Sequence, residues 1–375
     1  VNNNREVELA ERIAAKTPGD LNRIYFTTGG STAVDSALRL CQLASNIKGQ
    51  PHRKHILTRE KAYHGSTYLS ASITGKERDK TAMDIMRDGV HFLSAPCYFY
   101  HPEFATEAEF CDFLVDELEQ KILELGPENI MCFIAEPVMA SGGVIVPPAD
   151  YNYRCWQMVK KHEITYIADE VVTAFGRLGY WFASEKVFGI VPDIIIFAKG
   201  VTSGYIPMGG YAVSESFLDS FSGDNAEGCL YSNGYTWGGS PVACAAALAS
   251  WDIIEKEELL DRVLEIGPYF QQQLQTLQDI PLVGNVRGEG LMAAVEMTIE
   301  GRNELDLLEK DYAIGEMVDQ HCQKLGLLVR PFINICIISP PLIINKKQFD
   351  ELVSILRQGL ELTLTDLRDQ GVWVD

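Results

Sequence analysis

The sequence predicts an α/β protein in which helices cover both faces of a mainly parallel β-sheet, followed by a smaller α+β domain. Up to about residue 275, short runs of Ile, Val and Phe alternate with helical segments, a pattern typical of strands buried on both faces. From about residue 280 the pattern becomes the alternation of a strand pair. We therefore divide the chain into a large domain over 1–275 and a small domain over 276–375.

Hydrophobic periodicity and turn residues place the elements of the large domain in order. Leu9 and Ile13 give the helical segment 5–16 an apolar side, and a Pro-Gly turn ends it. A glycine turn joins the strand RIYFTT to the helix GGSTAVDSALRL, whose apolar residues recur at helical spacing. The remaining helices are predicted over 107–125 and 151–162, and the remaining strands are HILT, IMCFIAEP, ITYIADE and DIIIFAK.

The chain after DIIIFAK completes the large domain and then builds the small one. GGYAVSE follows a loop too short for a crossover helix, so we expect an antiparallel strand in the same sheet. Ser240 and Pro241 are typical of a helix start, and the apolar helix after them is expected to be buried between layers. The small domain is predicted to contain a strand pair in LVGNVRGEGLMAAVEM, a helix over 311–325 and strands around 327–339.

Charge and cysteine usage argue against several classes of function. The 375 residues carry a formal net charge of −20, which disfavours nucleic acid and anionic membrane surfaces as partners. Nine cysteines without a CxxC pair favour reduced thiols in a cytoplasmic compartment, and we expect no metal site. No apolar run approaches the roughly 20 residues of a membrane span, and the first residues lack the apolar stretch of a signal peptide.

Polar residues at the carboxyl ends of the strands are the candidates for chemistry, because ligands of open α/β sheets bind at that edge. Asp169 and Lys199 are one βαβ unit apart, so neighbouring strands are expected to bring a carboxylate and an amine together. An apolar setting would lower the pKa of Lys199 and make its amine a nucleophile. Lys199 taken alone could equally be a solvated strand end, and Asp169 a helix cap or a divalent-metal ligand.

The turn at Gly30 and Ser31 is a candidate anion-binding cup, because it joins a strand directly to a helix start. A capping box between Thr32 and Asp35 is the structural alternative. The turn lacks the GK[ST] motif of loops that bind nucleoside triphosphates, so we do not expect it to bind such a nucleotide. The G-x-G-x-x-A motif at Gly288 precedes a strand-like run and not a helix, so it is not interpreted as a dinucleotide site.

The anion-binding turn, Asp169 and Lys199 together fit the binding of pyridoxal phosphate. The aldehyde of this cofactor needs a lysine, and its ring nitrogen needs a carboxylate. An aromatic side chain should cover the cofactor ring, and Tyr63 in AYHG is the candidate. Taken alone, Tyr63 could also be a core or turn residue.

Seven stretches resemble the class III aminotransferases, pyridoxal-phosphate enzymes of fold type I, and in particular the ω-amino acid and amine:pyruvate transaminases. They are FTTGGSTAVDSAL, AYHGSTYLSASITG, IAEPV, ADEVVTAFGRLG, PDIIIFAKGVTSGYIPMGG, YTWGGSPVACAAALA and VGNVRGEGLM. They occur in family order over most of residues 5–345. The resemblance implies a mainly parallel seven-stranded sheet with helices on both faces.

The resemblance also implies a role for each matching residue. Lys199 would form the Schiff base with the cofactor and move the substrate proton, and Asp169 would pair with the pyridine nitrogen. Tyr63 and Val171 would pack on opposite faces of the ring. Thr236 would reach the cofactor phosphate of the partner subunit in a homodimer. Further cofactor-binding residues would be Gly30, Ser31, His64 and Glu136.

Arg330 in LLVRPF is similar to the mobile arginine of the pyruvate-using members, which would bind the carboxylate of the keto acid. Without the family, Arg330 would be interpreted as an exposed arginine at a strand end, and Arg177 in FGRLG is expected to be structural. The chain departs from the family at Thr32, where glutamate is usual. Members also carry roughly half a domain ahead of the first helix, so we expect that the natural N-terminus is not among these residues.

The function expected from these residues is ping-pong transfer of an amino group from an ω-amino acid or amine to pyruvate. The alternatives within the family are a diamine or ornithine-type transaminase and an aminomutase. A truncated homologue without catalytic activity is a further alternative. A metal- or nicotinamide-dependent α/β enzyme is the alternative outside the family.

Overall fold

The computed structural model describes residues 3–221, 226–298 and 309–373, which form two sheets and the helices that cover them. The helices are α1 Asn4–Ala14, α2 Gly30–Ile47, α3 Tyr68–Ser72, α4 Glu107–Leu125, α5 Tyr151–Lys161, α6 Ala183–Phe188, α7 Glu215–Leu218, α8 Pro241–Lys256, α9 Leu259–Gln275, α10 Glu309–Lys324 and α11 Lys346–Asp369. The strands are β1 Arg23–Thr27, β2 His55–Arg59, β3 Val90–Leu93, β4 Ile130–Ala135, β5 Thr165–Asp169, β6 Ile194–Phe197, β7 Gly209–Val213, β8 Val283–Glu289, β9 Met292–Met297, β10 Arg330–Phe332 and β11 Ile335–Ile338.

The first sheet has seven strands in the order β1-β7-β6-β5-β4-β2-β3, which confirms the predicted fold class. Strands β3, β2, β4, β5 and β6 pair in parallel. Strand β7 is antiparallel to both β6 and β1, as the short loop before GGYAVSE predicts. In the β5–β6 pair, Asp169 lies opposite Ile196, so the strands that carry Asp169 and precede Lys199 are neighbours.

Both faces of this sheet are buried, which explains why its strands are apolar at successive positions. In β6, Ile194 and Ile196 belong to a core with α2, whereas Ile195 and Phe197 belong to a second core with α4, α5 and α8. Successive side chains of a strand point to opposite faces, so a strand with helices on both faces must be apolar throughout.

The second sheet is antiparallel, with the strand order β10-β11-β9-β8. The strand pair β8–β9 and the helix α10 follow the predicted pattern, and Gly288 lies inside β8. Helices α9, α10 and α11 share a core with this sheet, and Phe270 of α9 stacks on Phe349 of α11 at 4.7 Å between ring centroids. The domain boundary at residue 275 stays a prediction.

Helix α8 starts as predicted but is not buried all round. The Ser240 hydroxyl accepts a hydrogen bond from the Ala243 amide at 3.3 Å, and Pro241 occupies the first helical position. Trp251 is fully buried, whereas Val242 is 69% exposed and Ile253 52% exposed. The prediction of burial on every side was therefore wrong for the single chain, because only one side of α8 packs against the first sheet. No helix in the described ranges is long and apolar enough to cross a membrane.

Candidate active site

A cavity of about 390 Å³ lies at the carboxyl ends of the parallel strands of the first sheet. It is lined by side chains that follow β1, β4, β5 and β6, which come together because parallel strands end at one edge. The predicted site residues that line it are Gly30, Ser31, Tyr63, His64, Glu136, Asp169, Val171 and Lys199.

Lys199 lies two residues beyond the strand and not at its last position. Strand β6 ends at Phe197, and Lys199 begins a 3₁₀ turn that continues to Thr202. Its side chain is exposed, so the apolar burial expected from the preceding strand was wrong. Its backbone has φ +30°, a conformation that costs a non-glycine residue about 1–3 kcal/mol. The turn thus directs the chain away from the sheet and leaves an accessible amine on the cavity wall.

Asp169 is buried and is held by two hydrogen bonds. One carboxylate oxygen, Oδ1, accepts from the Val171 amide at 3.1 Å, and Oδ2 lies 2.7 Å from Nδ1 of His64. On the other side of His64, Nε2 lies 3.3 Å from the Thr58 hydroxyl, which donates its own hydrogen to the carbonyl of Ile73. These contacts fix the position of the His64 ring between the Thr58 hydroxyl and the Asp169 carboxyl group.

Glu136 organises the wall of the cavity next to this pair. Its Oε1 accepts from the Tyr63 amide at 3.0 Å, and its Oε2 accepts from the Ala140 amide at 3.1 Å. Burial raises the pKa of the Glu136 carboxyl above its usual value. The Tyr63 hydroxyl lies 2.8 Å from the Ser66 hydroxyl, so both ends of Tyr63 are held in place.

The glycine turn forms an open helix start at the cavity. Helix α2 begins at Gly30 with Gly29 as N-cap, no side chain caps it, and its first turn carries no acidic residue. The alternative of a capping box is excluded, because Thr32 donates to the Gly29 carbonyl at 2.9 Å while Asp35 accepts from the Ser70 amide at 2.9 Å. The uncapped helix start favours an anion.

Gly65 closes the turn from the opposite side. It has φ +139°, and a Cβ atom added to it would lie 2.5 Å from the hydroxyl oxygens of both Ser31 and Ser70. The next residue, Ser66, donates its amide hydrogen to the Ser31 hydroxyl at 3.0 Å. Gly65 therefore permits the loop after β2 to approach the start of α2.

Two predicted site residues do not line the cavity. Thr236 is exposed in the segment before α8, and Arg330 is exposed at the start of β10 in the second sheet. Arg177, expected to be structural, donates to the carbonyls of Leu291 and Pro340 at 2.9 and 2.6 Å, which joins the segment after β5 to the second sheet.

Several lining residues were not singled out from the sequence. They include Gly65, Ser141 and the apolar loop residues Ile206, Pro207 and Met208. Thr58, which positions His64, was also missed, although a polar residue directly after the apolar pair Ile56 and Leu57 is a signal that could have indicated it. The loop IPM offered the corresponding signal, because apolar residues are unusual in a loop rich in glycine and proline.

The donor set fits pyridoxal phosphate. The cavity combines an accessible amine, a carboxyl group held by hydrogen bonds, an aromatic side chain and an uncapped helix start. A Cβ atom on Gly30 would lie 3.2 Å from Val171, so the glycine leaves room for a group between the helix start and this side chain. In the described ranges no group of acidic, His or Cys side chains could hold a metal ion. Fold and site together define a pyridoxal-phosphate-dependent enzyme.

Comparison with known proteins identifies the family. The sequence matches Aminotransferase class-III over residues 1–360. It is 38% identical over 358 residues to putrescine–pyruvate aminotransferase of Pseudomonas aeruginosa, a match covering 95% of this chain and 77% of the relative. It is 38% identical over 357 residues to mitochondrial gamma aminobutyrate transaminase 1 of Solanum lycopersicum, covering 95% and 68%.

A solved structure supports the same family. The amine transaminase from an uncultivated Pseudomonas species, in its pyridoxal-phosphate-bound form, superimposes with a TM-score of 0.90 at 34% identity, covering 97% of this chain and 82% of that one. This chain belongs to the class III aminotransferases, which use pyridoxal phosphate.

Proposed function

We propose that this protein transfers an amino group from an ω-amino acid or amine to pyruvate, with Lys199 as the residue that carries the cofactor. The observation that supports the proposal most is that Lys199 and Asp169, from neighbouring strands, line the same cavity. The relatives support the two substrate classes, since one is named for putrescine and pyruvate and another for gamma-aminobutyrate.

Each residue of the site would have a defined part in the reaction. When bound, pyridoxal phosphate supplies the carrier for the amino group and the electron sink for the bonds to the substrate Cα. Nζ of Lys199 would move the proton from the substrate Cα to C4′ of the cofactor in the first half-reaction and in the opposite direction in the second. Asp169, held by His64, would keep the proton on the cofactor's ring nitrogen, and Glu136 would hold Tyr63 through its backbone amide. The start of α2 would bind the phosphate.

Two half-reactions test this proposal. The visible spectrum of the protein loaded with pyridoxal phosphate is recorded while putrescine, 4-aminobutanoate or 1-phenylethylamine is added, followed by pyruvate. We expect the band of the lysine-bound cofactor to disappear with donor and to return with pyruvate. A band that no donor changes would contradict the substrate class, and a protein that is folded yet forms no band would contradict the cofactor site.

A second candidate is the same reaction restricted to diamines, as in the relative named for putrescine. The same titration separates the two, since an enzyme of this kind would respond to putrescine and not to 4-aminobutanoate. Arg330 is part of the proposal for pyruvate, as the residue that would pair with the acceptor's carboxylate.

We also propose a homodimer in which Thr236 contacts the partner's cofactor phosphate. The exposed large apolar side chains include Tyr68, Tyr205, Leu230, Trp237 and Val242. Tyr205 is 84% exposed although its neighbours Gly204 and Ile206 line the cavity. Exposed apolar groups of this size are typical of an interface. Eight cysteines are buried as free thiols, which supports a reducing compartment such as the cytoplasm.

The oligomeric state tests the dimer through Trp237, which is 74% exposed. We expect Trp237→Ser to lower the measured mass towards that of one chain in light scattering. Leu328→Ser is the matched control, because Leu328 is also exposed but lies just before β10 in the second sheet. A wild-type protein that runs as a single chain at micromolar concentration would contradict the proposal.

A further inference from the structure

Lys76 is a nearly buried cation beside the cavity, and it has no part in the site described above. It follows α3, and its side chain is 12% exposed. Its Nζ lies 5.4 Å from the ring centroid of Tyr63 and 4.3 Å from that of Phe332. Tyr63 lines the cavity, whereas Phe332 belongs to β10, two residues after Arg330. Lys76 therefore bridges the cavity wall and the strand that carries Arg330.

The ammonium group of Lys76 is left without close hydrogen-bond acceptors. Its nearest carboxylate oxygen is that of Asp79 at 3.9 Å, and Asp79 lies closer to Arg78, at 3.1 Å. Nζ of Lys76 donates no hydrogen bond to any residue within 3–221, 226–298 and 309–373.

The surrounding charges make Lys76 a site where an anion would be stabilised. Burial lowers the pKa of its ammonium, and Arg78 and Arg330 lower it further, while Asp79 and Glu136 oppose them. A desolvated cation with free donors is unfavourable until an acceptor satisfies them. Two aromatic faces stabilise the charge but accept no conventional hydrogen bond. An incoming carboxylate would supply the missing acceptor.

We propose that Lys76 is a fixed binding residue for the distal carboxylate of ω-amino acid donors, at its position between Tyr63 of the cavity wall and Phe332 of β10. The inference rests on the proposed function. Lys76 does not itself line the cavity, so it suits a carboxylate several bonds from the reacting amine. Arg330 is exposed and has no ion-pair partner in the part of the chain that the structure describes, so it remains available for the acceptor's carboxylate next to the reacting carbon.

Binding of pentanoate to the cofactor-loaded protein tests this inference without any turnover. Pentanoate carries the carboxylate and chain of such a donor but has no amine. Calorimetry is expected to give a Kd at least about 10-fold higher for Lys76→Met than for wild type, as for loss of a hydrogen bond to a charged group. Methionine keeps most of the apolar stem between the two rings. Lys76→Arg should restore much of the affinity.

Arg78→Met is the matched control, because Arg78 also contacts the ring of Phe332, at 5.0 Å, but is 48% exposed and pairs with Asp79. It should leave the Kd for pentanoate unchanged. In the half-reactions, Lys76→Met should lose rate with 4-aminobutanoate and retain it with 1-phenylethylamine.

Two results would overturn the inference: wild type does not bind pentanoate, or Lys76→Met binds it as tightly as wild type does. An equal loss of rate with both donors, in protein that keeps its melting temperature and cofactor band, would also contradict it. Failure of the proposed function is distinguishable, because then no donor changes the spectrum of the wild-type protein itself.

Discussion

The cavity at the edge of the first sheet and the cationic side chains beside β10 differ in how their charged groups are held. In the cavity, Asp169, His64 and Glu136 are buried and held by hydrogen bonds of 2.7–3.1 Å. Beside β10, Lys76 and Arg78 contact aromatic faces, and Arg330 is exposed. Hydrogen bonds fix direction, whereas contacts with rings tolerate displacement. Chemistry common to all substrates thus suits the cavity, and the choice among substrates suits the side chains beside β10.

The comparison predicts that cavity variants affect every donor, and Lys199→Ala should have the largest effect. We expect loss of the visible band of the lysine-bound cofactor and a fall in kcat of at least about 1,000-fold with every donor. Spectra and steady-state rates measure this. Activity that survives the substitution would favour a metal- or nicotinamide-dependent enzyme.

Asp169→Asn should come next, with a loss of about 100- to 1,000-fold in kcat/KM that is equal for all donors. The amide has no charge to hold the proton on the ring nitrogen, although it has nearly the same shape. Circular dichroism should show an intact fold. A loss confined to carboxylate-bearing substrates would break the distinction between the two regions.

Arg330→Met should change the choice among substrates and leave the cofactor site intact. We expect the KM for pyruvate to rise about 10- to 100-fold, because a charge-assisted hydrogen bond to the keto acid is lost. The rate with 1-phenylethylamine in the first half-reaction should be unchanged, as measured by stopped-flow spectroscopy. An equal loss in both half-reactions would place Arg330 with the residues of the cavity instead.

Gly65→Ala should have the smallest effect on rate and act mainly on stability. The new Cβ would meet Ser31 and Ser70 in a backbone conformation that disfavours a side chain, so we expect about 2–3 kcal/mol of destabilisation. Gly49→Ala is the control, since Gly49 also has positive φ but open space around it, and about 1 kcal/mol is expected there. Urea unfolding measures both, and equal losses would show that backbone conformation alone is responsible.

Much of the fold was accessible from sequence because its signals are local. Helix α4 has the predicted bounds, and the reversal of β7 followed from the length of one loop. The separation of Asp169 and Lys199 by the length of one βαβ unit was enough to predict that their strands are neighbours. The sequence could not exclude the alternative of a capping box at Thr32, because the partner of Asp35 is Ser70, 35 residues away.

The sequence by itself determined the sheet, the order of its elements and the residue types at its carboxyl edge, since these follow from periodicity and spacing. Only the tertiary structure decided that Lys199 is exposed on a 3₁₀ turn, that Thr58 positions His64, and that Lys76 contacts the rings of both Tyr63 and Phe332. Those contacts join segments without a shared local pattern. Burial and hydrogen-bond partners depend on which distant segments pack together, and no window of sequence contains that information.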